Sequence, residues 1–473
     1  MGAPLRVINF DTGMPTALLP SQGVISVLDF NADPTGAKDS SAAFTAAIAA
    51  LQAEGGSVVP GGTLWIPPGQ YLLNSTVTIA ASNIVVAGAG TASLIVNGQT
   101  AATALQFGDN VTVFNRCGIR DVSFGQASGS AAVSGNFGLS LFKQSNFNLS
   151  NVQMFNFPQA LNRGMLWSTV TQSFFTAIGI QSCIDIGIDM RSCTDCYISR
   201  SRSDANGTIG WSLRDSNGIY CSNCSGFNNT TSAWRIASLT GHNINFFFYN
   251  CIGDTSGSYN WQISDLTESV FTSCWGATQQ STAANTFANG FILSGSAVHD
   301  INFIGGNTLN NNASGVHLSN ISGMPTAIHF VGFNFSDSAH GNGQSGTGFG
   351  LEIENAACTV SVMGGQAIGN VTGAVSLGAS ATATISQLLG FNPVGTSAAA
   401  NVGASPATIT AGPSAETHYL NQSATNTATV TKNTRQIHAL VNASTFYPVQ
   451  LGPNESYVVT WVTTQPTFTK DVH

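Results

Sequence analysis

Two groups of side chains in this chain have the types and spacing to do chemistry. The first is Glu352 and Glu354, on the alternating run Gly350-Leu-Glu-Ile-Glu354, with His317 one repeat earlier. Alternation with period two puts both carboxylates on one face of a strand, with Cβ atoms about 7 Å apart. Hydrolysis of a glycosidic bond with inversion uses one protonated and one ionised carboxyl about 6.5–9.5 Å apart, which leaves room for a water. No Lys or Arg occurs from Ile236 to Thr431, whereas eight carboxylates do. Mutual repulsion is therefore expected to raise one of the two pKa values and divide the roles of acid and base. The bland alternative is a solvated pair of glutamates.

The second group is Asp189 with Arg191, Arg214 and Arg235. Six of the ten arginines lie between 163 and 235. Guanidinium forks recognise carboxylates, so this face suits acidic sugars. Elimination needs a base to remove a proton and a cation to stabilise the enolate, and an arginine-rich face supplies the cation. The structural alternative is an ion-pair ladder that neutralises Asp189 and holds neighbouring repeats in register.

These groups need a scaffold, and a repeat supplies it. A small residue followed by apolar, any, apolar, any recurs as Gly187-Ile-Asp-Met-Arg191, Gly210-Trp-Ser-Leu-Arg214, Ala233-Trp-Arg-Ile-Ala237 and Asn260-Trp-Gln-Ile-Ser264. It continues as Gly290-Phe-Ile-Leu-Ser294, Gly315-Val-His-Leu-Ser319, Gly350-Leu-Glu-Ile-Glu354 and Gly373-Ala-Val-Ser-Leu377. The second apolar position steps from Met190 to Leu377 by 23, 23, 27, 30, 25, 35 and 24 residues. A half-buried strand every 23 or so residues, with further short strands and Asn/Gly turns between, is the pattern of a parallel β-helix. The in-between residues then form an outward column, Asp189, Ser212, Arg235, Gln262, Ile292, His317, Glu352 and Ser376. A second column holds Arg191, Arg214, Ala237, Ser264, Ser294, Ser319 and Glu354. Coils stack about 4.8 Å apart, so Asp189 and Glu352 lie roughly 29 Å from one another and form two separate candidate sites. The long steps place insertions near 272–290 and 332–350, the second a Gly-rich candidate groove wall.

Other residues read as structure. Trp211, Trp234 and Trp261 share one inward position and form a core stack, whereas Trp275, beside a long insertion, is the candidate for stacking on a sugar. Asp215 and Asp265 follow their strands and read as turn formers. The nine cysteines include Cys193-Thr-Asp-Cys196 and Cys221-Ser-Asn-Cys224, a spacing that can hold zinc. Within a strand repeat they read instead as small apolar core residues. Neither a metal nor another cofactor is expected, and a reducing compartment for folding is.

Composition bounds the rest. Only 8% of residues are charged and the formal net charge is −8. That excludes the basic stripe of a nucleic-acid protein. No stretch reaches the roughly 20 apolar residues of a membrane helix, and no signal peptide is expected at the start.

Val27-Leu-Asp-Phe-Asn-Ala-Asp-Pro-Thr-Gly-Ala-Lys-Asp-Ser40, the helical run Ala42–Ala50, Gly62-Thr-Leu-Trp-Ile-Pro-Pro-Gly-Gln-Tyr71 and Val85-Val-Ala-Gly-Ala-Gly90 resemble the opening of the pectate-lyase-like right-handed β-helix superfamily, phage tailspikes included. The resemblance implies an all-β fold: a right-handed, single-stranded parallel β-helix over 61–397. An N-terminal cap occupies 23–60, where Asp39 or Ser40 starts a helix with Phe44, Ile48 and Leu51 on one face. Residues 1–22 read as an adaptor, 398–412 as a linker, and 413–473 as a small β-sandwich-like domain for trimerisation or carbohydrate binding. The expected function is depolymerisation of a bacterial surface or extracellular polysaccharide by hydrolysis in a lateral groove. Glu352, Glu354 and Asp189 are the candidate catalytic groups, and Arg191, Arg214, Arg235, His317 and Trp275 the candidate substrate contacts. The alternatives are a lyase on the arginine face and a non-catalytic receptor-binding fibre. A homotrimer in a virion tail, assembled in the cytoplasm, is expected from the resemblance; a secreted enzyme is the alternative location.

Overall fold

A computed structural model describes residues 23–54, 61–98, 103–127, 137–155, 160–277 and 289–391, the last range without 312, 322, 324, 337–347, 355–357, 371 and 379–380. Beyond these it describes 407–410, 416–421, 428–432, 435–440, 447–451, 456–461 and 467–472. The expected adaptor 1–22 and, of the expected insertions near 272–290 and 332–350, residues 278–288 and 337–347 therefore lie outside the described residues. The chain divides into two compact units, Met1–Ile184 and Asp185–His473.

In the first unit the helix Ser41–Glu54 buries Phe44, Ala47, Ile48 and Leu51. It packs on the strands Val24–Ser26, Gly62–Trp65 and Val77–Ile79. Asp39 starts it by accepting the Ser41 N–H at 2.9 Å, while the Ser40 hydroxyl accepts the Asp33 N–H instead. The strands Val77–Ile79, Leu105–Phe107, Phe137–Phe142 and Arg163–Ser168 pair in parallel, one per coil.

The second unit repeats a three-strand coil, first seen as Ile186–Arg191, Thr194–Ser199 and Arg202–Asp204. Leading strands pair only with leading strands, in parallel. Met190, Leu213, Ile236, Ile263, Leu293, Leu318, Ile353 and Leu377 are successive register partners, so every step of the sequence repeat is one coil. In the last copy the small position is Ala374 rather than Gly373, because Gly373 pairs with Phe349.

Local chemistry explains the coil. After the second strand one residue is left-handed in eight successive coils: Arg200, Asn223, Asn250, Ser273, Gly305, Gly332, Gly364 and Gln387, with φ from 48° to 71°. An L-residue there costs about 1–2 kcal/mol, yet a single such residue turns the chain without a loop. In the first four of these coils the next side chain folds inward and caps the carbonyl two residues back. Ser201 donates to Ser199 O at 2.8 Å, Cys224 to Ser222 O at 3.4 Å, Cys251 to Tyr249 O at 3.5 Å and Cys274 to Thr272 O at 3.6 Å. Serine and cysteine are interchangeable at this corner, and all nine cysteines are buried and none forms a disulfide.

Inside, Trp211, Trp234 and Trp261 stack at 4.8 Å, and Phe248, Phe271, Phe303 and Phe330 at the same interval. The small residue that opens each repeat answers to crowding. A Cβ on Gly187 would stand 2.0 Å from Ser203 Oγ and 2.8 Å from Asn206 Nδ2, groups of a buried Ser/Asn network that satisfies the corner backbone.

The last part of the chain forms two small antiparallel sheets. The expected linker 398–412 needs correction, because Ala407–Thr410 is a strand paired with Ser456–Val459. Its alternation of Thr with Ala and Ile had the strand period.

Two outcomes follow from the corners. Gly332→Val, where a Cβ meets nothing within 4 Å, should cost about 1–3 kcal/mol in urea unfolding through φ alone, and Gly332→Asn distinctly less. Burial pushes the Cys117 thiol up to about 11 and Cys358 to about 12. Native protein at about pH 8 should therefore give no Ellman reaction, and unfolded protein nine thiols.

Candidate functional site

The leading strands of the second unit present one outward face, and its columns follow the alternation. Asp189, Ser212, Arg235, Gln262, Ile292, His317, Glu352 and Ser376 are successive partners.

At one end of this column the carboxylates meet a histidine. His317 Nε2 stands 2.8 Å from Glu354 Oε1 and 4.0 Å from Glu352 Oε2. The two facing carboxylate oxygens are thus no further apart than the sum of those distances, 6.8 Å. Glu352 is anchored by the buried Ser314 hydroxyl, which donates to Oε2 at 2.5 Å. Its Oε1 makes no hydrogen bond among the described residues. Glu354 is engaged at both oxygens: Oε2 accepts the Asn320 N–H at 2.8 Å and the Ser319 hydroxyl at 3.1 Å, while Oε1 takes His317. Partial burial alone would raise the Glu354 carboxyl, but the Asn320 N–H, the His317 charge and the Ser319 hydroxyl outweigh it and hold it below the ordinary glutamate value.

This corrects the expectation that repulsion between two glutamates divides their roles. The division comes from hydrogen bonds: one carboxylate is held ionised and engaged at both oxygens, and the other keeps an oxygen free among the described residues. With Glu354 ionised and accepting, His317 donates to it from Nε2.

At the other end, Asp189 keeps the outward register but has no exposed surface. Arg191 Nε and Nη2 donate to Oδ2 at 3.0 and 2.5 Å, and Arg214 Nε and Nη2 to Oδ1 at 3.1 and 2.5 Å, with Nη2 also reaching Oδ2. Two guanidinium groups roof the carboxylate, so Asp189 orients them and cannot itself reach a substrate carbon. Arg191 and Arg214 remain partly exposed, at 35% and 16% of their side chains. Arg235 is exposed, and among the described residues its guanidinium makes no ion pair or hydrogen bond.

Trp275 differs from its expected place. It opens the strand Trp275–Ala277, paired with Ile252 and Asn307, and is half-buried ahead of the insertion. Its carbonyl accepts the Trp261 indole N–H at 2.9 Å, while its own buried Nε1 has no partner among the described residues. Asp215 is the expected turn former, accepting the N–H groups of Leu239, Thr240 and Gly241. Asp265 is not: it is buried, and its Oδ1 contacts His242 Nδ1 at 3.3 Å. Sequence reasoning passed over His242, Ser314 and Asn320 because each is brought in by stacking of coils 23 to 38 residues apart.

The family profile described as Rhamnogalacturonase A/epimerase, pectate lyase-like matches residues 24–290. Among solved structures, the chain is similar to the A-module of the Azotobacter vinelandii mannuronan C-5 epimerase AlgE6, with 16% identity, TM-score 0.61, and 77% of this chain and 98% of that one covered. It is also similar to ORF18 of Geobacillus virus E2, with 14% identity, TM-score 0.50, and 93% and 76% covered. A third similarity is to gene product 12 of bacteriophage phi29, with 12% identity, TM-score 0.56, and 77% and 56% covered. At these identities the likeness concerns the fold. No curated protein matches in sequence.

The Glu354 network sets a pH window. A carboxyl depressed in the folded state contributes stability that is fully present above its unfolded value near 4.5 and is lost as pH falls through the lower folded value. The melting-temperature difference between parent and Glu354→Gln should be constant at neutral pH and shrink only below about 4.5.

Proposed function

Because the chain belongs to the Rhamnogalacturonase A/epimerase, pectate lyase-like family, we propose that it depolymerises a bacterial surface or extracellular polysaccharide by hydrolysis on the outward face of its leading strands. The observation that carries this reading is the pair Glu352 and Glu354, within 6.8 Å at their facing oxygens and differently engaged. Glu352, anchored through Oε2 with Oε1 free, protonates the leaving glycosidic oxygen. Ionised Glu354, with His317 aligned on it, is the base: water on the opposite side of the ring forms the new C1–O bond and gives its proton to Glu354 Oε1, while the bond from C1 to the leaving oxygen breaks as Glu352 delivers its proton there. Arg191, Arg214 and Arg235 hold acidic sugar units several coils from the cut, and Asp189 fixes the first two.

The similarity to two phage proteins supports a place in a virion. A homotrimer is supported by a different face. Tyr249, Ile304, Val331 and Met363 are 38–58% exposed in one column of the second strands, which runs from Ser199 to Ser386 without a charged residue. Such a column can pack against a second copy without burying an ion.

On a panel of bacterial capsules and exopolysaccharides, the protein should release reducing ends from at least one. Glu352→Gln should lower that turnover by orders of magnitude with a change in stability below about 0.5 kcal/mol. Glu354→Gln should lower turnover and also cost about 1–3 kcal/mol, because it leaves charge-assisted bonds unmade. Tight binding to a glycan with no release of ends would instead identify a receptor-binding fibre. Light scattering should give three times the 48.9 kDa chain mass; a monomer mass at micromolar concentration would sink the trimer.

A further inference from the structure

The second strands carry an outward face that neither candidate site uses, in continuous register over eight coils. One of its columns is Tyr197, Tyr220, Phe247, Val270, Asn302, His329, Ser361 and Thr384. Beside it runs the column from Ser199 to Ser386 that holds Tyr249, Ile304, Val331 and Met363. These sixteen positions contain no Asp, Glu, Lys or Arg. Tyr197, Tyr220 and Phe247 stack on one another at 4.7 and 5.0 Å, with planes within 8°. Their faces are spent on each other, and their edges form a flat ridge of the kind that packs against protein.

Size and charge say what covers this face. With a third column from Thr194 to Thr326 about 7 Å further out, coils about 4.8 Å apart make a patch of roughly 700 Å². A standard interface buries about 800 Å² on each partner. A charged partner would lose its water here and gain no counter-charge. A second copy of this chain brings the same uncharged face.

Within the two columns only His329 titrates near neutral pH. Its Nδ1 lies 2.7 Å from Ser361 Oγ, a hydroxyl that bonds the ring but supplies no charge. Asn302 precedes it by one coil, and Ile304, Val331 and Met363 flank it in the neighbouring column. The corners beyond those three are Gly305, Gly332 and Gly364, and Arg200 occupies that corner five coils away. On the other side the preceding coil carries His299 and Asp300, which pair with each other at 2.8 Å, and Glu268 lies one coil further. A proton taken up by His299 therefore meets a carboxylate, and one taken up by His329 does not.

We infer that a second copy of this chain seats on the second-strand face and that His329 makes the contact acid-labile. This rests on the trimer proposed above, and adds the condition that opens its seam. An imidazole in water takes up a proton near pH 6.5. Inside the seam an imidazolium has neither water nor a counter-ion, so separated subunits bind the proton and assembled ones do not. Binding to the separated form alone draws the equilibrium toward it by mass action. With one His329 in each of three chains, the dissociation constant rises about 1,000-fold between pH 7.5 and pH 5.5.

The test is sedimentation of the full chain at pH 7.5 and pH 5.5, with circular dichroism to follow the folded coils. The expected result is a trimer at pH 7.5 that dissociates about 1,000-fold more readily at pH 5.5, keeps its circular dichroism, and reassembles when the pH is restored. His329→Gln should stay trimeric at both values, whereas His299→Gln should behave as the parent. His329→Lys, charged throughout, should be folded and dissociated already at pH 7.5. A trimer indifferent to pH, or one that opens equally in His329→Gln, overturns the inference and leaves the trimer standing. A trimeric His329→Lys places the seam on another face and overturns it as well. A parent that is monomeric at both values removes the trimer, and this inference with it.

Discussion

Everything in the second unit depends on one constraint: each coil must come back into register on the coil before it. A parallel strand normally needs a long crossover to meet its partner. Here the return is made by single left-handed residues, of which Arg200, Asn223 and Gly332 are three from the same column, so the strands of one coil stay short and the rise stays near one strand spacing. The strain of holding Arg or Asn in that conformation is offset because the following side chain, a serine or cysteine, caps the carbonyl that the bend exposes. Identical positions then stack, and the ladders of tryptophan, phenylalanine and buried asparagine are consequences of that stacking.

The same register turns sequence-distant residues into neighbours. Ser314 and Glu352, 38 residues apart, meet at 2.5 Å, and Asn320 reaches Glu354 across one coil. Chemistry on such a face is assembled between coils, and side chains of moderate length suffice because the spacing never varies. It also explains how a chain so poor in charge can separate its charges. Asp189 under Arg191 and Arg214 forms one end, and two carboxylates with His317 form the other, each held in place by rungs of the ladder. Insertions between coils change the step length without disturbing the register, which is why steps of 23 and of 35 residues give the same pairing.

Much of this was written in the chain itself. The period-two alternation and the recurring small residue specified the strand, its inward face and its coil partner, because burial of one face permits only one register. From Met190 to Leu377 the stacking order was legible residue by residue, as were the tryptophan core, the capping helix with Phe44, Ile48 and Leu51, and the column from Asp189 to Ser376. What sequence could not contain is contact across coils. Alternation placed Asp189 outward; only the folded chain lays two guanidinium groups over it and removes it from solvent. Spacing placed Glu352 and Glu354 together, but their unequal hydrogen bonding comes from a backbone N–H at Asn320 and hydroxyls at Ser314 and Ser319 that no local pattern announces. Asp215 and Asp265 read alike in sequence, each the acid after a strand, and the tertiary structure made one a turn pin and the other the seat of His242. The periodic part of the protein is determined by burial, which acts on each strand and is visible locally. The site is determined by hydrogen bonds between coils, and those exist only once the coils are stacked.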